Sequence, residues 1–391
     1  MFVSDLALDD FRSYQHVVLS LQPGVTAFVG RNGQGKTNLV ESLVYLSTFA
    51  SHRVAADAAL VRRSLAGGPQ PGGAVVRAKV CTAARAEVLE LEIVAGRANR
   101  ARLNRGAVRP RELLGHLRTV LFAPEDLALV RGEPAGRRDF LDRLLVQGAP
   151  RLAGLKADLD KVLRQRGALL KQLQGHRGGA ETQLAVWDEP LIELGSELTA
   201  ARARLVADLL PRAQTAYRDV SGTKDDFSLT LRLAADPQYP TNPAPSAAAL
   251  AELLRVTIAA RRADELRRGV NLVGPQRDEL ELTLGGLPAK GYASHGESWS
   301  CALALRLASF ELLRQLDDAG DPVLILDDVF AELDASRRDR LAELVAGVEQ
   351  VLITAAVAAD VPPALGGDRV WVEAGQLTPA PGAPAPHEEV A

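Results

Sequence analysis

Cysteine is nearly absent from this chain: Cys81 and Cys301 are the only two in 391 residues. They stand far apart and in no ligand-spaced cluster, so neither a disulfide framework nor a zinc site is indicated. Long apolar runs are missing as well. Those near Val323–Leu326 and Val351–Ala359 are the longest, far too short to cross a bilayer, and no membrane partner is expected. The first residues, MFVSDLALDDFRSY, put acids where an export signal needs a basic start and an apolar segment. The expected compartment is therefore cytoplasmic. Positive charge is not in excess: the formal net charge is −3. That argues against whole-surface binding to nucleic acid and leaves any such contact to local patches. Lysine is scarce beside arginine, and alanine is abundant, which points to GC-rich coding and says little about function. No internal repeat is visible.

What is present is organised around Gly30 to Thr37, GRNGQGKT, which fits the phosphate-binding pattern G-x-x-x-x-G-K-[ST] at every fixed position. Val25–Val29 before it reads as a strand, and Asn38–Thr48 after it as a helix with Leu39, Leu43 and Leu46 on one face. Strand, glycine loop and helix are the context that gives the pattern chemical meaning. Glycines let backbone N–H groups approach phosphate oxygens, and the helix start adds partial positive charge. The expected nucleotide contacts are Gly30, Arg31, Asn32, Gly33, Gln34, Gly35, Lys36 and Thr37. Lys36 bridges the β- and γ-phosphates in this reading, and the Thr37 hydroxyl ligates Mg²⁺.

Further strands are expected at residues 2–8, Val17–Leu21, Ala74–Thr82 and Ala86–Val94, with Ser51-His52-Arg53 a polar cluster after the loop helix and Gly67–Gly73 a surface loop. Between Arg97 and Arg118 lie seven arginines against the single acid Glu112. This band is either a DNA-phosphate contact or a solvated hairpin edge. From Leu141 to Leu210 leucine spacing predicts an antiparallel helical pair, broken at Gly175–Gly179, with the second helix over Gln183–Ala207. A strand at Phe227–Leu233, a helix over Ser246–Arg268 and a strand at Leu280–Leu284 follow.

In the C-terminal third, Val323–Leu326 is an apolar strand that runs into Asp327 and Asp328. An acid at such a strand tip beside a phosphate loop holds Mg²⁺, the role assigned to Asp327. Asp328 is placed to orient or deprotonate an attacking water. Ser294 and Gly296 open a helix over Trp299–Leu316. They form either a second anion site, completed by a partner subunit, or an ordinary serine N-cap with Glu297 in the first turn.

The order phosphate loop, PEDL, helical insertion, SHGE, LDD and Glu332-Leu333-Asp334 resembles the ATPase heads of ABC transporters and SMC-like proteins. LDDFRSY, SHR, PEDLALVRGEPAGRRDFLD, GPQRDEL, YASHGE and LDDVFAELDASRRDRL narrow the resemblance to the RecF family of recombination-mediator ATPases, over nearly the whole chain to about residue 355. The resemblance implies an α/β fold: an ABC-type P-loop head, a mixed sheet with flanking helices, carrying an inserted helical lobe. The expected division is 1–135 as the N-terminal part of the core, 136–270 as the helical lobe, 271–376 as the C-terminal part of the core and 377–391 as a disordered tail. It also implies ATP and Mg²⁺ as cofactors and an ATP-dependent homodimer in which Ser294 and Gly296 act in trans, with Asp334 near the seam. DNA is the implied partner, as duplex near single-strand gaps, together with the RecO and RecR proteins, in loading RecA during recombinational repair and replication. Catalysis would rest on Asp328 and Lys36, and the metal on Thr37 and Asp327. The glutamine and histidine sensors of the wider superfamily are missing, with Ala123-Pro124-Glu125-Asp126 and Thr354 in their places. With aspartate at 328 in place of glutamate, a weak, DNA-linked ATPase working as a switch is expected. The alternative is another SMC-like or ABC-type head acting with a protein partner. A full SMC organiser needs coiled-coil arms of sustained heptads, and only about 150 residues separate the PEDL block from SHGE.

Overall fold

The computed structural model describes residues 1–63, 70–174, 180–316 and 319–378. Gly67 to Pro69 of the expected surface loop, all of the Gly175–Gly179 break and the tail after Thr378 lie outside them. In chain order the elements are β1 (Phe2–Phe11), β2 (Tyr14–Ser20), β3 (Gly24–Val29), α1 (Lys36–Thr48), β4 (Gly73–Cys81), β5 (Ala86–Val94), β6 (Arg100–Leu103), β7 (Gly106–Val108) and β8 (Thr119–Phe122). Then come α2 (Leu127–Arg131), α3 (Pro134–Gly148), α4 (Leu152–Gln172), α5 (Ala180–Ser221), β9 (Phe227–Arg232), α6 (Ala247–Arg268), β10 (Glu279–Leu284) and β11 (Leu287–Pro288). The last group is α7 (Ala289–Tyr292), α8 (His295–Arg314), β12 (Val323–Asp327), α9 (Ala335–Val345), β13 (Gln350–Ala355), β14 (Asp368–Glu373) and β15 (Gln376–Thr378).

The chain forms two compact units. One comprises Met1–Leu127, Ala216–Thr223 and the chain from Trp299 on; the other comprises Ala128–Thr215 and Lys224–Ser298. These limits differ from the divisions expected at 135/136 and 270/271. Two of them fall inside α5 and α8, where an uninterrupted helix leaves no turn or composition shift to read.

The first unit contains two sheets. An antiparallel one runs β2-β1-β4-β5-β6-β7, and a second runs β15-β14-β3-β13-β12-β8, parallel throughout except for the β14–β15 pair. Strands β3, β12 and β13 are almost wholly buried and apolar, as parallel strands covered on both faces must be. Helix α1 is enclosed in the same core as both sheets. Its Leu39, Leu43 and Leu46 are buried as expected, and so are Val40, Val44 and Tyr45 around the rest of the helix. An amphipathic stripe understates a helix that is covered on nearly every side.

The second unit corrects the helical reading. The segment expected as one helix before the glycine break is two, α3 and α4, separated at Ala149-Pro150-Arg151, because proline lacks the N–H that would continue the helix. Helix α5 is also longer than the expected Gln183–Ala207, running to Ser221 with Pro190 and Pro211 inside it. The antiparallel pairing of α4 with α5 is present: Leu159 packs in one core with Leu191, Arg166 bonds Asp188, and Leu170 meets Leu184.

Candidate functional site

The site lies at the carboxyl ends of the parallel strands, where such sheets place ligands. β13 runs between β3 and β12, and its Thr354 is the register partner of both Phe28 and Asp327. That one residue therefore spans the gap between the phosphate loop and the acidic strand tip.

The loop from Gly30 to Gly35 is shaped by close backbone approach. A Cβ on Gly30 would meet the Val372 carbonyl oxygen at 2.2 Å, and Gly35 has φ of 111° with the Tyr14 hydroxyl 2.8 Å from where its Cβ would stand. Only glycine fits both demands. The N–H groups of Gly33, Gly35, Lys36 and Thr37 donate to no atom among the described residues, the arrangement that a phosphate would complete. Lys36 is 3% exposed. Its ammonium makes two long hydrogen bonds, to the Arg31 carbonyl at 3.3 Å and Asn32 Oδ1 at 3.4 Å. A buried cation held by two neutral oxygens suits an anionic ligand. Gln34 is used differently: its carbonyl and Oε1 accept from the N–H groups of Gly375 and Ala374, at 3.2 and 2.6 Å, which ties the loop to the β14–β15 turn.

Asp327 Oδ1 accepts from the hydroxyls of Thr37, at 2.9 Å, and Thr354, at 2.6 Å. Thr37 and Asp327 are therefore together, as a shared metal requires. The backbone of Asp328 is left-handed, φ 51°, and its N–H donates to Thr354 Oγ1 at 3.0 Å. Burial pushes the Asp328 carboxyl up from the usual carboxylate range; Lys36 pulls it back, while Asp327, Asp360 and Glu125 add to the rise.

A supporting frame surrounds the loop that motif reading did not reveal. Arg12 donates to Glu41, itself fully buried in α1, at 2.8 and 2.6 Å. Asn38 donates to Ser13 Oγ at 2.8 Å, and the Tyr14 hydroxyl to the Gly35 carbonyl at 3.1 Å. Ser51 donates to Glu41 at 2.5 Å, and Arg53 to Asn38 Oδ1 at 3.0 Å. The FRSY and SHR stretches thus hold the phosphate loop and its helix from both sides. Where a sensor glutamine was missing, Asp126 is turned inward to Arg306 at 2.5 Å, while Glu125 stands close enough to act on Asp328.

The RecF/RecN/SMC N-terminal domain family matches residues 2–362. The DNA replication and repair protein RecF of Beutenbergia cavernae is 55% identical over 400 residues, covering 96% of this chain and 99% of that protein. RecF of Kineococcus radiotolerans is 55% identical over 391 residues, covering 96% and 98%. The chain belongs to the RecF family. Among solved structures, the recombination mediator RecF bound to ATPrS, from the RecFOR pathway, superposes with a TM-score of 0.86 at 25% identity, over 97% of this chain and 98% of that one. A Pyrococcus furiosus Smc head is similar in fold alone, at TM-score 0.54 and 17% identity, over 97% of this chain and 96% of that one. The fold is accordingly an ABC-type ATPase head of the RecF and SMC kind.

Two further pieces of the RecF pattern, Ser294 and Gly296, belong to the second unit, apart in sequence from the loop and acids of the first. Ser294 forms a capping box at the start of α8: its hydroxyl accepts from Glu297 N–H at 3.3 Å, and its own N–H donates to Glu297 Oε2 at 2.7 Å. Its side chain is nonetheless exposed. Asp334 caps α9, accepting from Arg337 N–H at 2.9 Å, a bond that holds its carboxyl below the usual range. The blocks RRDFLD and GPQRDEL meet in the second unit. Arg137 grips Glu279 at 2.7 and 3.1 Å, Arg138 donates to the Asp278 carbonyl at 2.8 Å, and Arg202 binds Asp142 and the Pro275 carbonyl. The expected basic band needs one correction: Arg118 is buried, 6% exposed, and donates to the Leu313 carbonyl. Arg100 and Arg102 pair with Glu92 and Glu90 across the sheet, while Arg97, Arg105, Arg109 and Arg111 are exposed on the hairpin edge and its flank.

Proposed function

We propose that this chain is an ATP-gated DNA-binding switch of recombinational repair and replication. The observation that carries the reading is the phosphate loop itself: unused N–H groups, buried Lys36 and the Thr37–Asp327 pair in one place. Mg-ATP fits this donor set, with Lys36 on the phosphates, Thr37 and Asp327 on the metal, and Asp328 placed to take the proton of an attacking water. Gly30, Arg31, Asn32, Gly33, Gln34 and Gly35 shape the loop around the phosphates. Ser294 and Gly296 of a second copy complete the site, so ATP binding draws two chains together and hydrolysis releases them. Since each site is finished only by a partner, turnover is slow in the monomer. Relatives named as acting in DNA replication and repair and in the RecFOR pathway support DNA as the target and RecO and RecR as partners; binding at single-strand gaps, help in loading RecA and a cytoplasmic location complete the proposal. Asp328→Asn, with turnover blocked, is expected to bind a fluorescent gapped duplex at least tenfold more tightly with Mg-ATP than without nucleotide. Equal affinity in the two conditions would contradict the switch.

A further inference from the structure

Of the three residues in the SHR stretch, Ser51 and Arg53 make hydrogen bonds to protein, but the His52 ring makes none among the described residues. Its side chain is 8% exposed, and Nε2 stands 3.8 Å from Asp327 Oδ2. Neither ring nitrogen has a hydrogen-bond partner among the described residues. An imidazole always carries at least one N–H donor, and a buried donor left without an acceptor is destabilising. A polar pair more than about 3.5 Å apart can be joined through a water. The two oxygens of Asp327 are also used unequally. Oδ1 is taken by the Thr37 and Thr354 hydroxyls, while Oδ2 faces His52.

Magnesium bound to nucleotide phosphates keeps several of its waters, and these need outer partners. We propose that His52 is a positioning residue for the nucleotide's magnesium, holding one water of the metal's shell between its ring and Asp327 Oδ2. It comes from the segment after α1 and nears the carboxylate oxygen of Asp327 that Thr354 does not use, and so supplies an imidazole to a site whose β13 position is a threonine. The inference rests on the Mg-nucleotide reading above and deepens it.

The test is the Mg²⁺ dependence of binding of a fluorescent, non-hydrolysable ATP analogue to the full chain, with parallel titrations in EDTA. In His52→Ala the Mg²⁺ concentration at half-maximal binding is expected to rise about tenfold, with metal-free binding unchanged. His52→Gln, whose side-chain carbonyl can accept from that water at the reach of Nε2, is expected to recover most of the loss, and the shorter His52→Asn to recover little. The Gln and Asn variants carry the comparison if the alanine variant does not fold. Equal Mg²⁺ dependence across wild type and variants, or an equal loss with and without metal, overturns the role of His52 while leaving nucleotide binding intact. Failure of the wild type to show any Mg²⁺-dependent binding overturns both.

Discussion

Glu41 lies fully buried in the helix that follows the phosphate loop, where a lone carboxylate would be expensive to desolvate. Arg12 answers it with two hydrogen bonds, and Ser51 adds a third. Removing one member of such a pair leaves an uncompensated charge, so Arg12→Ala is expected to destabilise the protein by about 3 kcal/mol. Replacing both with apolar residues, Arg12→Met with Glu41→Leu, is expected to recover most of that in denaturant unfolding. Asp278 offers the opposite case. Burial raises its carboxyl above the ordinary range, against hydrogen bonds from Ala234 and Thr199 and the pull of Arg202 and Arg138. A carboxyl raised in the folded state favours folding below its unfolded value, and that contribution is lost as pH climbs through the folded one. Above the unfolded value its burial is therefore a net cost to folding. Asp278→Asn is expected to raise Tm at pH 7, and the gain should shrink as pH falls towards the unfolded value. Calorimetry at both ends of that range decides it.

At the scale of elements, the β6–β7 hairpin separates arginines by their partners. Arg100 and Arg102 are engaged by strand β5 acids, whereas the side chains of Arg97, Arg105 and Arg111 face solvent. If this edge meets DNA phosphates, removing Arg97, Arg105 and Arg111, three of the four exposed arginines, should reduce the slope of log K against log salt by about 0.9 for each phosphate that is no longer neutralised. Arg102→Ala should change the slope much less. An unchanged slope in the triple variant would reject the hairpin as a phosphate-binding edge. The same hairpin shows what sequence can and cannot convey. Its charge density is plain from the residues alone, but the pairing of Arg102 with Glu90 and the burial of Arg118 depend on strand register and on α8, far away in the chain. The phosphate loop and the Asp327-Asp328 tip were legible because each is written in consecutive residues with a strand beside it. The frame was not, because Arg12 meets Glu41, and Asp327 meets Thr354, only through the fold. Ser294 sat between two readings in the sequence, and its capping box with Glu297 is compatible with an exposed hydroxyl offered to a second copy. The split of the first long helix at Pro150 was not readable from the proline alone, since α5 continues through Pro190 and Pro211.

For the whole molecule, half of each ATP site is proposed to lie on one chain and half on another. The phosphate loop, Asp327 and Asp328 sit in one compact unit and Ser294 and Gly296 in the other, and the central claim is that ATP joins copies rather than merely occupying one. Lys36→Arg, which alters the cation at the phosphates, is expected to abolish this joining. The most direct measurement is mass in solution by light scattering for Asp328→Asn, with and without Mg-ATP, beside the same protein carrying Lys36→Arg. The expected result is a monomer that becomes a dimer only with Mg-ATP, and no change in the Lys36→Arg protein. A mass that ignores ATP, or a dimer that forms equally well without an intact phosphate loop, would contradict the claim.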